Sequence, residues 1–344
     1  MQDNYNIASK LLHHLALGNN FLPQFMYEIE KSFFLNKKSI EVLNYKHFFL
    51  SGLARSGSTI ISNSLYSSKM FSSLKYADMP FILSPNIWHK FKNKYQKNIY
   101  FNRPHTDQLK IDLNSIDSFE EIFWRVFSGK YYIKDNLLEI QNDEEILKEF
   151  SNFIKLILIH DGRKNYLSKN NNNILRIKDI LNYFKLSFFL LTFRDPYQQA
   201  LSLLNQHRNF INIQKNNKFI KSYMKYLVHF EFGFNQKKNK FNNIESNYIN
   251  NLDINFWLEY WFQIYDFCLN LKNKENIIFI CYEDFCSNPN NFFKNFSDFF
   301  ESLNHVDTSI IHKPIIKKDT LKIDKLLLSR CYDVYDRMKK VSIS

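Results

Sequence analysis

The chain has 344 residues with 45% hydrophobic content, which suits an α/β domain with insertions and is too apolar for a disordered segment. The net charge of +12 invites a nucleic-acid partner. The lysines are dispersed rather than gathered in a stripe, however, and the abundance of Lys, Asn, Ile, Phe and Tyr beside only 6 Gly and 7 Pro is the composition that A- and T-rich codons produce, so no nucleic acid is expected.

Residues 1–344 read as one domain: an N-terminal helical segment over 1–45, a core over 46–300 and a C-terminal helical and loop segment over 301–344. The opening MQDNYNIASKLLHHLALG lacks the basic start and unbroken apolar run of a secretory leader. Ile7, Leu11, Leu12 and Leu15 recur at helical spacing with Gly18 placed to end the helix, and 21–35 reads as a second short helix. HFFLS, 47–51, is a short apolar run of the kind a buried strand shows, and TIISNSLYSS after it reads as a helix. Helical patterns follow at 119–127 and 143–159, then a second buried strand, LSFFLLTF, at 186–193. Residues 196–210 read as a helix with Pro in its first turn, 235–251 as a polar loop, and 254–271 as an aromatic-rich helix. NIIFICY, 276–282, is a third buried strand, and 291–300 another helix. Strands alternating with helices predict an α/β, three-layer P-loop-type fold: a central, mainly parallel sheet with helices on both faces and helical insertions. No apolar run approaches the length of a membrane span, and Cys268, Cys281, Cys286 and Cys331 show no paired metal-ligand spacing. A cytoplasmic protein with free thiols, no integral membrane segment and no metal is expected.

Two segments carry chemistry. SGLARSGST, 51–59, lies between the first strand and its helix and holds Gly52 and Gly57, two of only six glycines. A glycine-rich turn opening a helix aims backbone N–H groups at an anion, with the helix dipole assisting. Ser56, Ser58 and Thr59 add hydroxyls, and Arg55 adds a fixed charge. Gly52 and Gly57 match the two glycines of the nucleotide motif G-x-x-x-x-G-K-[ST], but Ser58 stands where its lysine belongs, a poor arrangement for hydrolysing ATP or GTP. The second segment, LLTFRDPYQQALSLLNQH, 190–207, puts Arg194 at the end of the second strand, Pro196 in the turn and Ser202 eight residues after Arg194. Ligands of open α/β sheets bind at such strand ends. The chain has nine arginines against thirty-seven lysines, so each arginine is a candidate for a site needing a planar fork.

The first segment resembles the 5'-phosphosulfate loop of the sulfotransferases, in which a Lys or Arg occupies the place of Arg55. The second resembles the Arg-x-Pro turn and following Ser by which that family grips the 3'-phosphate of its donor, PAPS (3'-phosphoadenosine 5'-phosphosulfate). YADMPFILSPNIW (76–88), RPHTDQLKID (103–112), FEEIFW (119–124), HFEFG (229–233) and YEDFCSNP (282–289) are similar to further segments of a bacterial branch, so the resemblance spans 47–300. It implies a sulfotransferase moving a sulfuryl group from PAPS to an acceptor hydroxyl or amine by in-line displacement without metal. Gly52, Arg55, Ser56, Gly57, Ser58, Thr59, Arg194 and Ser202 would hold the donor, and Arg55 would also stabilise charge on the leaving oxygen. The late glycine-and-basic loop of the animal enzymes is not visible; HKPIIKKDT, 312–320, is the segment left to supply cations there.

An alcohol is a weak nucleophile at neutral pH, so a general base is expected. Asp78 and His105 rank equally, with Asp107 behind them. His207 is a candidate for a substrate or nucleotide contact, Lys169 and Asn170, Asn171, Asn172 and Asn173 for facing the donor, and His229 and Glu231 are weaker candidates. A glycan, lipid or small alcohol fits the acceptor role. The rivals are a P-loop kinase using Asp195 as its metal carboxylate, and a binding protein that keeps the fold without turnover.

Overall fold

The computed structural model describes residues 6–37, 39–92, 101–102, 110–128, 137–138, 142–241, 246–271, 275–300, 303, 306–309, 311–312, 316 and 319–343. Helices α1 (Ile7–Leu17) and α2 (Phe21–Phe34) precede strand β1 (Phe48–Ser51), which a loop joins to α3 (Ser58–Ser67). Next come β2 (Phe71–Ser72), α4 (Pro85–Lys92), α5 (Glu121–Phe127), α6 (Glu144–Asp161), β3 (Asn165–Lys169), α7 (Ile177–Tyr183) and β4 (Phe188–Phe193). The chain continues through α8 (Pro196–Asn216), α9 (Lys218–Tyr226), α10 (Ile254–Leu269), β5 (Ile277–Cys281), α11 (Tyr282–Ser287), α12 (Pro289–Phe296), α13 (Lys325–Lys339) and β6 (Ser342–Ile343). Two short ladders, Phe101–Asn102 with Lys110–Ile111 and Leu137–Leu138 with Asn239–Lys240, lie outside the main sheet.

The six numbered strands form one sheet in the order β6-β5-β4-β1-β3-β2, every neighbouring pair parallel. Parallel strands are covered on both faces, and the side-chain alternation shows how. Phe49 of β1, Phe189, Leu191 and Phe193 of β4, and Phe279 of β5 point to one face, into a core built with α6, α7, α8, α10 and α13. Phe48 and Leu50, Leu190, and Ile278 and Ile280 point to the other, against Ile61 and Leu65 of α3 and Phe292 and Phe296 of α12. Phe48 alone meets Phe71, Phe188, Phe296 and Phe300 at centroid distances of 5.3–5.5 Å. A fully buried side chain of this size stabilises by roughly 1.5–3 kcal/mol. The expected sheet and its two helical layers are therefore present.

Several elements differ from expectation. β3 has only Tyr166 and Leu167 as apolar residues; Ser168 and Lys169 are buried polar side chains, so no apolar run marks the strand. α8 runs to Asn216, past the expected end at 210, because no glycine or proline interrupts it. Asn170 opens a short 3-10 turn, Asn171–Arg176, that is almost entirely buried. Among the described residues no helix is long and apolar enough to cross a membrane.

The sheet order decides where a ligand can sit. The connection leaving β1 leads toward β2 on one side, whereas the one leaving β4 leads toward β5 on the other. Adjacent strands whose connections diverge open a crevice at their carboxyl ends. Arg55 follows β1 and Arg194 follows β4, so the two motifs flank that crevice.

Candidate functional site

The first wall is the loop between β1 and α3. Gly52 has φ 137°, and a Cβ there would lie 2.4 Å from the Thr192 carbonyl oxygen of β4, so only glycine lets the two strand ends approach. Gly57 has φ 86° and caps α3; a Cβ there would meet the Tyr282 ring at 2.1 Å. Arg55 itself adopts φ 69°, a left-handed conformation that costs a non-glycine residue about 1–2 kcal/mol. Such strain concentrates at functional sites. The loop is stitched to β4 and α8. Ser56 Oγ and Thr192 Oγ1 are 2.6 Å apart, and Gln199 Nε2 donates to the carbonyls of Leu53 (3.3 Å) and Ala54 (3.0 Å). Gln199 is fixed in turn by Trp261, whose Nε1 donates to its Oε1 at 2.9 Å. Ser58 begins α3, which directs the positive end of the helix dipole at the loop.

The second wall follows β4. The side chain of Asp195 caps α8 by accepting the Gln198 amide at 2.8 Å, Pro196 opens the helix, and Ser202 lies about two turns on. Arg55 Nε donates to Ser202 Oγ at 3.0 Å. Segments 147 residues apart in sequence thus meet through the two side chains that the motifs single out. Arg194 lies beside Tyr282, its guanidinium carbon 5.1 Å from the ring centroid, and its Nε is 3.6 Å from Glu283 Oε1. Burial pushes the Glu283 carboxyl above its ordinary value, with backbone amides and the Arg194 charge pulling the other way.

The remaining candidates are placed elsewhere. Asp78 is buried, 3.3 Å from His160 Nε2, and accepts the Lys75 amide at 2.9 Å. Burial opposes its charge, but the hydrogen bond and charge of His160, together with Lys75, outweigh burial and hold its carboxyl below the usual range. A carboxylate engaged in this way is a weak base. Lys169 turns inward, donating to Asp117 Oδ1 at 2.6 Å and Ser118 Oγ at 3.1 Å rather than facing the crevice. Asn170 donates to Glu121 Oε2 at 2.5 Å, and the carbonyl of the neighbouring Asn171 accepts from Ser51 Oγ at 2.9 Å. His207 is a core residue that accepts the Gly233 amide at Nδ1 and lies 5.4 Å from the Trp257 ring; burial pushes it down to about 4. A cavity of about 10 Å3 is lined by Gly52, Leu53 and Ala54 together with Asn171, Glu231 and Tyr260, among others. His105 and Asp107 lie outside the described residues, as does most of 312–320. Among the described residues no group of three or more His, Cys, Asp and Glu is arranged to hold a metal ion.

No protein-family model and no curated protein matches the chain. Among solved structures it is similar to the sulfotransferase STF1 from Mycobacterium tuberculosis H37Rv, at 9% identity and a TM-score of 0.48, over 94% of this chain and 78% of that one. It is similar to the sulfotransferase STF9 from Mycobacterium avium at 11% identity and a TM-score of 0.46, over 92% of this chain and 73% of that one. The sulfotransferase domain from the curacin biosynthetic pathway aligns at 15% identity and a TM-score of 0.36, covering 83% and 82% of the two chains.

Sequence reasoning missed Thr192, Gln199, Tyr282 and Glu283 as parts of the site's framework. Gln199 had a signal: a polar residue among the buried positions Ala200, Leu203 and Leu204 of α8. Tyr282 and Glu283 lay in a segment singled out only by resemblance.

Proposed function

We propose that this chain is a sulfotransferase that moves the sulfuryl group of PAPS to an acceptor hydroxyl or amine and releases adenosine 3',5'-bisphosphate. The observation that carries the reading is the 3.0 Å hydrogen bond from Arg55 to Ser202, which joins the loop after β1 to the helix after β4. The glycine positions are compatible with it: without a Cβ the loop packs against the Thr192 carbonyl and the Tyr282 ring, and a glycine-rich turn opening a helix aims backbone N–H groups at an anion. In this reading Gly52, Ser56, Gly57, Ser58 and Thr59 cradle the 5'-phosphosulfate, and Arg194 and Ser202 take the 3'-phosphate. Arg55 stabilises the charge that develops on the bridging oxygen as the S–O bond breaks. Transfer is in line, so most of the rate comes from positioning and charge stabilisation. His105 takes the acceptor's proton in this reading, while Asp78 has a structural task, buried beside His160. The acceptor is a glycan, a lipid or a small alcohol. Four buried, free cysteines suit a reducing, cytoplasmic setting.

Calorimetry separates this reading from a P-loop kinase. Adenosine 3',5'-bisphosphate should bind, and ATP with Mg2+ should bind far more weakly, since Ser58 stands in the lysine position. The reverse order of affinity would return the chain to the kinase reading. Incubation of labelled PAPS with cell extract, followed by mass spectrometry, should then reveal a sulfated product.

A further inference from the structure

An acidic side chain stands beside the cation of the second motif. Glu283, in the first turn of α11, places Oε1 3.6 Å from Arg194 Nε and accepts the Asp195 amide at 3.2 Å. The Tyr282 ring flanks the same guanidinium. Glu283 is held in its turn from the C-terminal helix: Tyr335 OH donates to Oε2 at 3.3 Å, while Cys281 Sγ lies 3.5 Å from the same oxygen. Three residues earlier on α13, Tyr332 OH donates to Asp195 Oδ2 at 3.2 Å. Residues three apart share a helix face, so α13 presents two hydroxyls to the turn that carries Arg194.

Judged by charge alone, a carboxylate at this place opposes a phosphate arriving at Arg194. What it offers in exchange is order. An arginine side chain loses considerable rotamer freedom when immobilised, and a side chain already fixed by the protein spares the ligand that loss. We propose that Glu283 is the positioning residue of the 3'-phosphate site, ordering Arg194 at the carboxyl end of β4, and that α13 sets the place of Glu283 through Tyr335. This rests on the assignment of Arg194 to the 3'-phosphate.

The test titrates adenosine 3',5'-bisphosphate and adenosine 5'-monophosphate into the full chain, as wild type, Glu283→Gln and Tyr335→Phe. The wild type should prefer the bisphosphate. Glu283→Gln keeps the shape and removes the charge, so that preference should fall about tenfold with the monophosphate affinity unchanged. Tyr335→Phe, which deletes one oxygen, should lower it by about threefold. A loss shared equally by both nucleotides, an unchanged preference, or tighter bisphosphate binding by Glu283→Gln overturns the positioning role. If Glu283→Gln does not fold, an unchanged preference in Tyr335→Phe overturns it instead. A wild type that prefers neither nucleotide removes the Arg194 assignment itself, a failure distinct from the others.

Discussion

Arg176 and Arg55 both follow strands of the same parallel sheet, β3 and its neighbour β1, yet the protein surrounds them in opposite ways. The Arg176 side chain is sealed from solvent, paired with both carboxylate oxygens of Glu121 at 3.1 Å, and 4.4 Å from the Trp124 ring centroid. Around it Lys169 meets Asp117, Asn170 meets Glu121, and Tyr166 donates to Glu120 at 2.7 Å. Arg55 is half-buried at the crevice rim, in a left-handed backbone conformation, with its Nε donating to a neutral hydroxyl. Charges removed from water need full internal compensation, and the Arg176 cluster supplies it with protein carboxylates. Between that cluster and the loop, Ser51 Oγ donates to the Asn171 carbonyl and accepts the Ile174 amide. Arg55, at the rim with its Nε on the Ser202 hydroxyl, is the arginine to which the proposed function gives the reacting anion, whereas Arg176 is held inside the fold.

The comparison breaks most visibly if its structural half fails. Arg176→Met leaves Glu121 buried without its bidentate partner and should lower stability by about 3–5 kcal/mol, read from the denaturant midpoint. Burial has already pushed Glu121 up to about 7 against the pull of Arg176, and removing Arg176 should push it higher. A carboxyl whose folded pKa is raised keeps its proton while the unfolded chain releases one, so stability falls as pH rises above the ordinary value of 4.5. Wild type and variant should therefore lose stability in parallel up to about pH 7, and the variant's deficit should grow above that value, where Glu121 ionises in the wild type. A midpoint equal to wild type at neutral pH would show that the cluster carries no structural weight.

Arg55→Ala tests the other half. Turnover should drop about 10²–10³-fold, the usual loss for a removed transition-state donor, equivalent to roughly 2.7–4 kcal/mol. Stability should stay within about 0.5 kcal/mol, because the side chain is a rim contact. A collapse in stability with normal specific activity would place Arg55 on the structural side of the contrast.

The contrast also explains what the sequence could say. β1, β4 and β5 were legible because strands covered on both faces become apolar runs, HFFLS, LSFFLLTF and NIIFICY. β3 was illegible because its carboxyl end feeds the buried polar cluster: Lys169 looks like a surface residue until Asp117 and Ser118 are seen beside it. The internal partners of Lys169, Asn170 and Asp78 were illegible for the same reason. A buried contact between polar side chains far apart in sequence leaves no spacing to read, as Asp78 with His160 shows. The rim was easier. Gly52 and Gly57 stand out because their backbone angles require glycine, and Arg194 with Ser202 because a strand end and two helical turns fix their interval. Glu283 was hidden for the opposite reason: an acidic residue is not sought beside an arginine proposed to hold an anion.

Ser202 gives the smallest effect and the sharpest reading. Ser202→Ala removes one hydroxyl, and a neutral hydrogen bond contributes about 0.5–1.5 kcal/mol net. Two roles are open to that hydroxyl, and they fall on different measurements. As a ligand of the 3'-phosphate it contributes binding, and its loss should weaken adenosine 3',5'-bisphosphate about fivefold with saturated turnover almost unchanged. As a rest for Arg55 it contributes alignment, and its loss should lower turnover with affinity intact. The proposed 3'-phosphate site requires the first pattern, with Arg55 turning from Ser202 toward the bridging oxygen once the donor is bound. If only turnover falls, the hydroxyl belongs to the first wall, and the 3'-phosphate rests on Arg194 without it.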